Sequence, residues 1–268
     1  MVVTFQDDTV CACSRVKTTG SAGVIMTRHA RKHSPGFAAA IVCTLIALAA
    51  TQDVVASGLI YVNRCAAGCT VTPGFDNAIT GTSSIPNSMS SLSAFAHGDA
   101  VFSDTVTCLR SLFARYDVDV ITANPGAVAR REMMLAGNAS QLGLPPGTGG
   151  VAPSGSAADN RIAFAFANDI GADADKLCWI AAAQLGALYG LEPEYYCPDV
   201  TSYFSGPNGC GLKTFADFDA PCGTFSAKAT CSDTSGQPTQ NSAALLAVRA
   251  GLSDRIFLNE FEQPRPAP

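Results

Sequence analysis

The chain has 268 residues, 47% of them hydrophobic and only 15% charged, with a formal net charge of −5. That length suits one large domain or two small ones. Residues 50–268 hold 12 Lys and Arg against 20 Asp and Glu, which argues against a nucleic-acid partner, because phosphate binding needs clustered positive charge.

Residues 1–25 are polar and without pattern, and are expected to be an overcalled gene start or a disordered segment. Residues 26–50 read as a secretory signal peptide. Arg28, His29, Arg31, Lys32 and His33 form a basic region, Phe37 to Ala50 is an apolar run, and Ala47-Leu48-Ala49 offers a small-x-small cleavage site. The run falls short of the roughly 20 residues a membrane span needs, so no stable span is expected after cleavage; an N-terminal anchor is the alternative. Met26 stands directly before the basic region, where translation is expected to start. The localisation implied is secreted or extracytoplasmic.

Cysteine usage agrees with export. Of 11 cysteines, Cys11, Cys13 and Cys43 precede the cleavage site. The remaining set, Cys65, Cys69, Cys108, Cys178, Cys197, Cys210, Cys222 and Cys231, is even, which in an exported chain reads as disulfides. Cys65–Cys69 and Cys222–Cys231 suggest local bridges, and the full pairing stays open. A thiolate zinc site is the competing reading, and these spacings fit it poorly.

A domain is expected over 57–254. Its first strand runs from Gly58 to Cys65, alternating and rich in branched and aromatic residues. Residues 66–91 read mostly as loop. Val101, Val106, Leu109, Leu112, Phe113 and Tyr116 recur at helical spacing and predict an amphipathic helix over 101–116. Strands follow at 118–122 and 132–136, a long Gly, Pro and Ser loop at 138–158, and a fourth strand at 161–167. A helix at about 173–190 starts with Asp173 and Asp175, whose charge suits the helix dipole, and ends at Gly190. Residues 195–239 look irregular. A last helix at about 240–252 is expected to bury Ala244, Leu245, Val248 and Leu252. The tail 255–268 is expected to be disordered. The fold class implied is α+β, or an α/β sandwich, with a disulfide-rich C-terminal part ending in a helix. No internal repeat is present.

The helix 173–190 carries the functional signal. A metzincin zinc site reads H-E-x-x-H-x-x-G-x-x-H, with two His on one helix face, a Glu as general base and a third His beyond the glycine. Anchored on Gly190, the pattern places its His positions at Ala183, Ala187 and Pro193 and its Glu at Gln184. Thr201, within Asp199-Val200-Thr201-Ser202-Tyr203, stands where the family has the Met of its Met-turn. The segments Ile60–Cys65, Cys69–Gly74, Gln141–Pro145, Gly149–Pro153, Cys178-Trp179, Gly190–Glu192, Glu194–Cys197 and Asp219–Gly223 extend the match in order along the chain. Together they resemble secreted bacterial metzincin-type peptidases, related to matrixins and astacins. The resemblance implies a five-stranded sheet over a zinc-binding helix, and extracellular peptide hydrolysis. Taken alone, a helix with Trp179, Ala183, Leu185, Leu188 and Tyr189 would be an ordinary buried one.

Zinc is expected in that family, but its ligands are absent here. The only His are His29, His33 and His97, and a three-His site cannot be built from the one that follows the signal peptide. His97, beside Gly98 and Asp99, reads as a surface loop residue. No metal, cofactor or catalytic residue is therefore expected. The expected role is a pseudopeptidase that binds a peptide or protein in the former substrate cleft. An active metallopeptidase with an atypical metal site and a structural exported protein are the alternatives. Glu192, Glu194 and Asp199 read as solvated carboxylates, with a calcium site as the alternative. Asn138-Ala139-Ser140 matches a glycosylation acceptor.

Overall fold

The computed structural model describes residues 58–153, 158–204, 210–224, 227–232 and 237–254. Residues 1–25 and 26–50, expected to be an overcalled start or disordered segment and a signal peptide, and the tail 255–268 lie outside the described residues. Among those described, no helix is long and apolar enough to cross a membrane.

The fold is mixed α/β. Its main sheet has five strands: β1 (Gly58–Asn63), β5 (Val118–Ile121), β6 (Arg131–Leu135), β7 (Gly150–Val151) and β8 (Ile162–Ala165), in the order β5-β1-β6-β8-β7. The first four are mutually parallel and β7 runs antiparallel along the edge. Both sheet faces are covered, as parallel strands require. Alternation divides the strands between two cores. Ile60, Val62, Met133, Leu135, Ala163 and Ala165 face α1 (Gly98–Phe113) and α3 (Ala174–Leu188). Met134, Ile162 and Phe164 face Val71, Ala78 and Leu92 on the opposite side.

That opposite layer departs from the expected loop at 66–91. A small sheet, β2 (Cys69–Pro73), β3 (Thr82–Ser83) and β4 (Ser90–Leu92), lies there. Its strands bury few large side chains, chiefly Val71 and Leu92, so they lack a readable apolar pattern. The 138–158 segment likewise contains a 3-10 turn at Ala139–Leu142 and the edge strand β7. The 195–239 region holds β9 (Ala220–Thr224) and β10 (Ala227–Ala229), which with β11 (Thr239–Gln240) make a third sheet in the order β10-β9-β11. A short α2 (Ala167–Ile170) follows β8, and α4 (Ser242–Ala250) closes the described chain.

The buried face of α4 differs from the expected one. Ser242, Ala243, Leu246 and Ala250 point inward, whereas Val248 is 82% and Leu252 56% exposed. The helix is anchored at its first turn: Ser242 Oγ donates to Asp199, which fixes its rotation.

All eight described cysteines are paired. Cys65–Cys69 ties the end of β1 to β2, Cys108–Cys178 ties α1 to α3, and Cys197–Cys210 and Cys222–Cys231 brace the C-terminal region. No thiolate remains among them for a metal.

Candidate functional site

Helix α3 begins at Asp173, whose carboxylate accepts from the Lys176 N–H at 3.0 Å. It ends at Gly190, which takes φ +78°. There Gly190 N donates to the Ala187 carbonyl (2.8 Å) and Leu191 N to the Gly186 carbonyl (3.0 Å), closing a Schellman turn. This turn sends the chain back beneath the helix, so that Pro193 and the 199–204 loop reach its lower face.

Edge strand β7 crosses α3 at close range. A Cβ on Gly150 would lie 2.8 Å from Gln184 Cγ and 3.0 Å from Ile180 Cγ2, and one on Gly149 would lie 3.1 Å from Ile180 Cδ1. The Gly149-Gly150 pair therefore lets the strand sit directly over the helix. A cleft runs beside this contact. One half, about 390 Å³, is lined by Ala183, Gln184, Ala187, Pro193 and Thr201 under Gly150 and Val151. The other, about 450 Å³, runs past Ala183 and Gln184 to Trp179, Ile180, Ser202 and Lys213. Five of the six positions singled out on the metzincin pattern thus share one cleft, and the sixth, Gly190, forms the turn beside it.

The donor chemistry of this cleft does not suit zinc. Zinc takes imidazole, thiolate or carboxylate ligands, and these positions present two methyl groups, a proline ring, an amide and a hydroxyl. Among the described residues no group of three or more His, Cys, Asp and Glu is placed to hold a metal ion. His97 lies elsewhere, at the start of α1. Its Nε2 meets the Ala167 carbonyl at 2.8 Å, and its ring stands edge-on to Phe95 at 5.4 Å.

No known family model matches the sequence, and no curated protein matches it significantly.

The carboxylates beyond the helix differ from the solvated cluster expected. Glu194 and Asp199 are fully buried. Asp199 Oδ1 accepts from Thr201 N (2.7 Å) and Thr201 Oγ1 (2.6 Å). Its Oδ2 accepts from Ala216 N (2.8 Å) and from Ser242 Oγ. Thr201 Oγ1 also accepts from Glu194 N at 3.2 Å. Thr201 is thus a polar cross-link under α3. Glu194 Oε1 accepts from Gln240 Nε2 at 3.1 Å, while Oε2 is buried without a partner. Glu192 turns away and accepts from Ser232 N. Apart from Glu194 Oε2, the oxygens named here accept from the protein's own donors, and among the described residues no group of carboxylates is placed to hold a metal ion. Asn138 Nδ2, the acceptor atom of the glycosylation motif, donates to Asp169 Oδ1 at 2.6 Å.

Glu194 is pushed up to about 8, first by burial and then by the neighbouring Asp199 carboxylate. Its unfolded value is that of an ordinary carboxylate, 4.5. Between these values the folded chain holds a proton that the unfolded chain has released, so stability falls as pH rises through this window. Lys213 is lowered from 10.5 to about 8 by burial. It is charged in both states below that range and adds no slope there. Urea midpoints are expected to decline from about pH 4.5 to about pH 8. Glu194→Gln is expected to remove most of the decline, leaving a residual slope from Glu132, which burial also raises. An unchanged slope in the variant would contradict this.

Lys213, Ser202 and Ile180 were not legible as site residues. Lys213 is a lone charge in Gly211-Leu212-Lys213-Thr214, and nothing in such a stretch signals burial. The Gly149-Gly150 pair was the available signal for the edge strand, since a strand interior uses glycine where another element approaches closely.

Proposed function

We propose that this chain is a secreted, metzincin-like pseudopeptidase domain that has lost its zinc ligands and binds a peptide or protein segment along the cleft under β7. The observation that carries the reading is the convergence of Ala183, Gln184, Ala187, Pro193 and Thr201 on one cleft beside a sheet edge. These positions come from a helix and two separate loops. The metzincin helix pattern singles out the first four, and the Met-turn position the fifth.

Two physical points agree with it. Among the described residues strand β7 pairs only with β8. A strand edge of this kind pairs with an extended peptide through main-chain hydrogen bonds. Clustered His and Glu left in a cleft without zinc would be buried and unpaired, which is costly, and Ala at 183 and 187 removes that penalty. Four disulfides fit an oxidising compartment.

The test combines three measurements on the purified mature chain: zinc content, cleavage of a broad peptide mixture, and saturable binding of an immobilised peptide library. Binding without stoichiometric zinc or cleavage is expected. An Ala183→Arg variant, which plugs the cleft from a half-exposed position, is expected to lose binding with an unchanged melting temperature. Zinc-dependent cleavage would overturn the pseudopeptidase reading, and absence of any peptide binding would favour a structural exported protein.

A further inference from the structure

The half of the cleft beside Trp179 contains a buried cation. Lys213 is only 6% exposed, and it lines the recess of about 450 Å³ together with Trp179, Ile180 and Ser202. Its Nζ donates to two main-chain carbonyls, Ser202 at 2.7 Å and Asp199 at 3.2 Å. An ammonium has three donors, so one remains beyond these two. Among the described residues Lys213 forms no ion pair.

The nearby carboxylates are engaged elsewhere. Both oxygens of Asp199 are taken by Thr201, Ala216 and Ser242. Asp169, at the rim, accepts from Asn138 Nδ2 and from Ala139 N at 2.7 Å. Lys176, exposed on the first turn of α3, adds a second ammonium to the rim and makes no ion pair among the described residues. The recess thus joins apolar walls to an ammonium that touches no carboxylate directly: Asp199 is near enough to favour its charge, but its oxygens are turned to other donors. A buried charge without a direct partner is costly, and two carbonyls hold this one in place.

Resting on the peptide-binding reading above, we infer that the recess takes the carboxylate side chain, Asp or Glu, of the segment that pairs with β7. The hydrocarbon stem of Glu would pack on Ile180 and Trp179 while its carboxylate meets Lys213 Nζ. Charge-assisted hydrogen bonds of this kind are the stronger class, and in a desolvated recess they discriminate against the neutral amide. Burial lowers Lys213 to about 8 even though the Asp199 carboxylate partly offsets it, so a carboxylate in direct contact would favour the charged form further.

The experiment uses the intact mature chain and peptide pools that carry Glu, Gln, Leu or Lys at one fixed position within a randomised strand-length sequence. The Glu pool is expected to bind about tenfold or more tightly than the Gln pool, with the difference lost in Lys213→Met and kept in Lys213→Arg. Equal binding of the Glu and Gln pools by the wild-type chain would overturn this inference and leave the peptide-binding reading standing. Binding of no pool would overturn both. The wild-type comparison needs no variant, so the outcome is decided even if Lys213→Met fails to fold.

Discussion

Asp199→Ala is expected to destabilise the protein by about 4 kcal/mol, near the upper end of single-residue effects. The carboxylate is fully buried and accepts from two main-chain N–H groups and two hydroxyls. Its donors belong to three separate pieces of chain: Thr201 in the turn under α3, Ala216 beyond Lys213, and Ser242 at the start of α4. Ala would leave Thr201 N, Thr201 Oγ1 and Ala216 N buried without this acceptor, and Ser242 Oγ with only a long bond to the Ala216 carbonyl at 3.4 Å; each orphan costs about 1–3 kcal/mol, partly relieved by local rearrangement. Asp199→Asn would keep the Thr201 pair on its carbonyl oxygen and set an N–H₂ against the Ala216 N–H and Ser242, so about half the loss is expected. Urea unfolding followed by tryptophan fluorescence measures both, since Trp179 is the only tryptophan. A loss below about 1 kcal/mol for the Ala variant would mean that the three segments are held together by other contacts.

The same residue shows where sequence reading reached its limit. Strands β1 and β8 and helix α1 were legible from apolar residues at a period of two or near 3.6, β5 and β6 from short branched or apolar runs, and α3 from its acidic first turn and terminal Gly190. Val106, Leu109 and Phe113 were read as core and are buried. The small strands β3 and β11 have two residues each, too few to carry any period. The buried face of α4 differs from the expected one because Ala243, Leu246 and Ala250 pack in the core on the side where Ser242 bonds Asp199, whereas apolar count alone favours Val248 and Leu252. Glu194, Asp199 and Lys213 resemble surface charges in the sequence, and only tertiary contacts mark them as interior. The pattern anchored on Gly190 singled out Ala183, Gln184, Ala187 and Pro193, because a helix period and a glycine turn are local, and the Met-turn position added Thr201; these residues line one cleft. The cation on the other wall comes from a loop with no regular spacing to that helix.

Removing the Cys108–Cys178 bridge by the double change Cys108→Ala and Cys178→Ala is expected to cost about 4 kcal/mol. The bridge closes a loop of 70 residues, and loop-closure entropy for a loop of that length gives about this value. The loop spans β5, β6, β7 and β8, so it encloses most of the main sheet. The bridge also sits where α1 and α3 pack, with Cα atoms 6.0 Å apart, and α3 positions the cleft. Two consequences separate this bridge from the local one. Cys65–Cys69 spans only four residues, and removing it is expected to cost about 2 kcal/mol or less. Reducing agent should lower the wild-type melting temperature toward that of the double variant, with no further effect on a chain that lacks all four bridges. Peptide binding below the melting temperature should survive loss of Cys108–Cys178, because the Gly190 turn, the Gly149-Gly150 approach and the Asp199 hydrogen bonds that shape the cleft do not pass through it. Loss of binding in a variant that still melts cooperatively would show that the α1–α3 contact sets the cleft geometry as well as the stability.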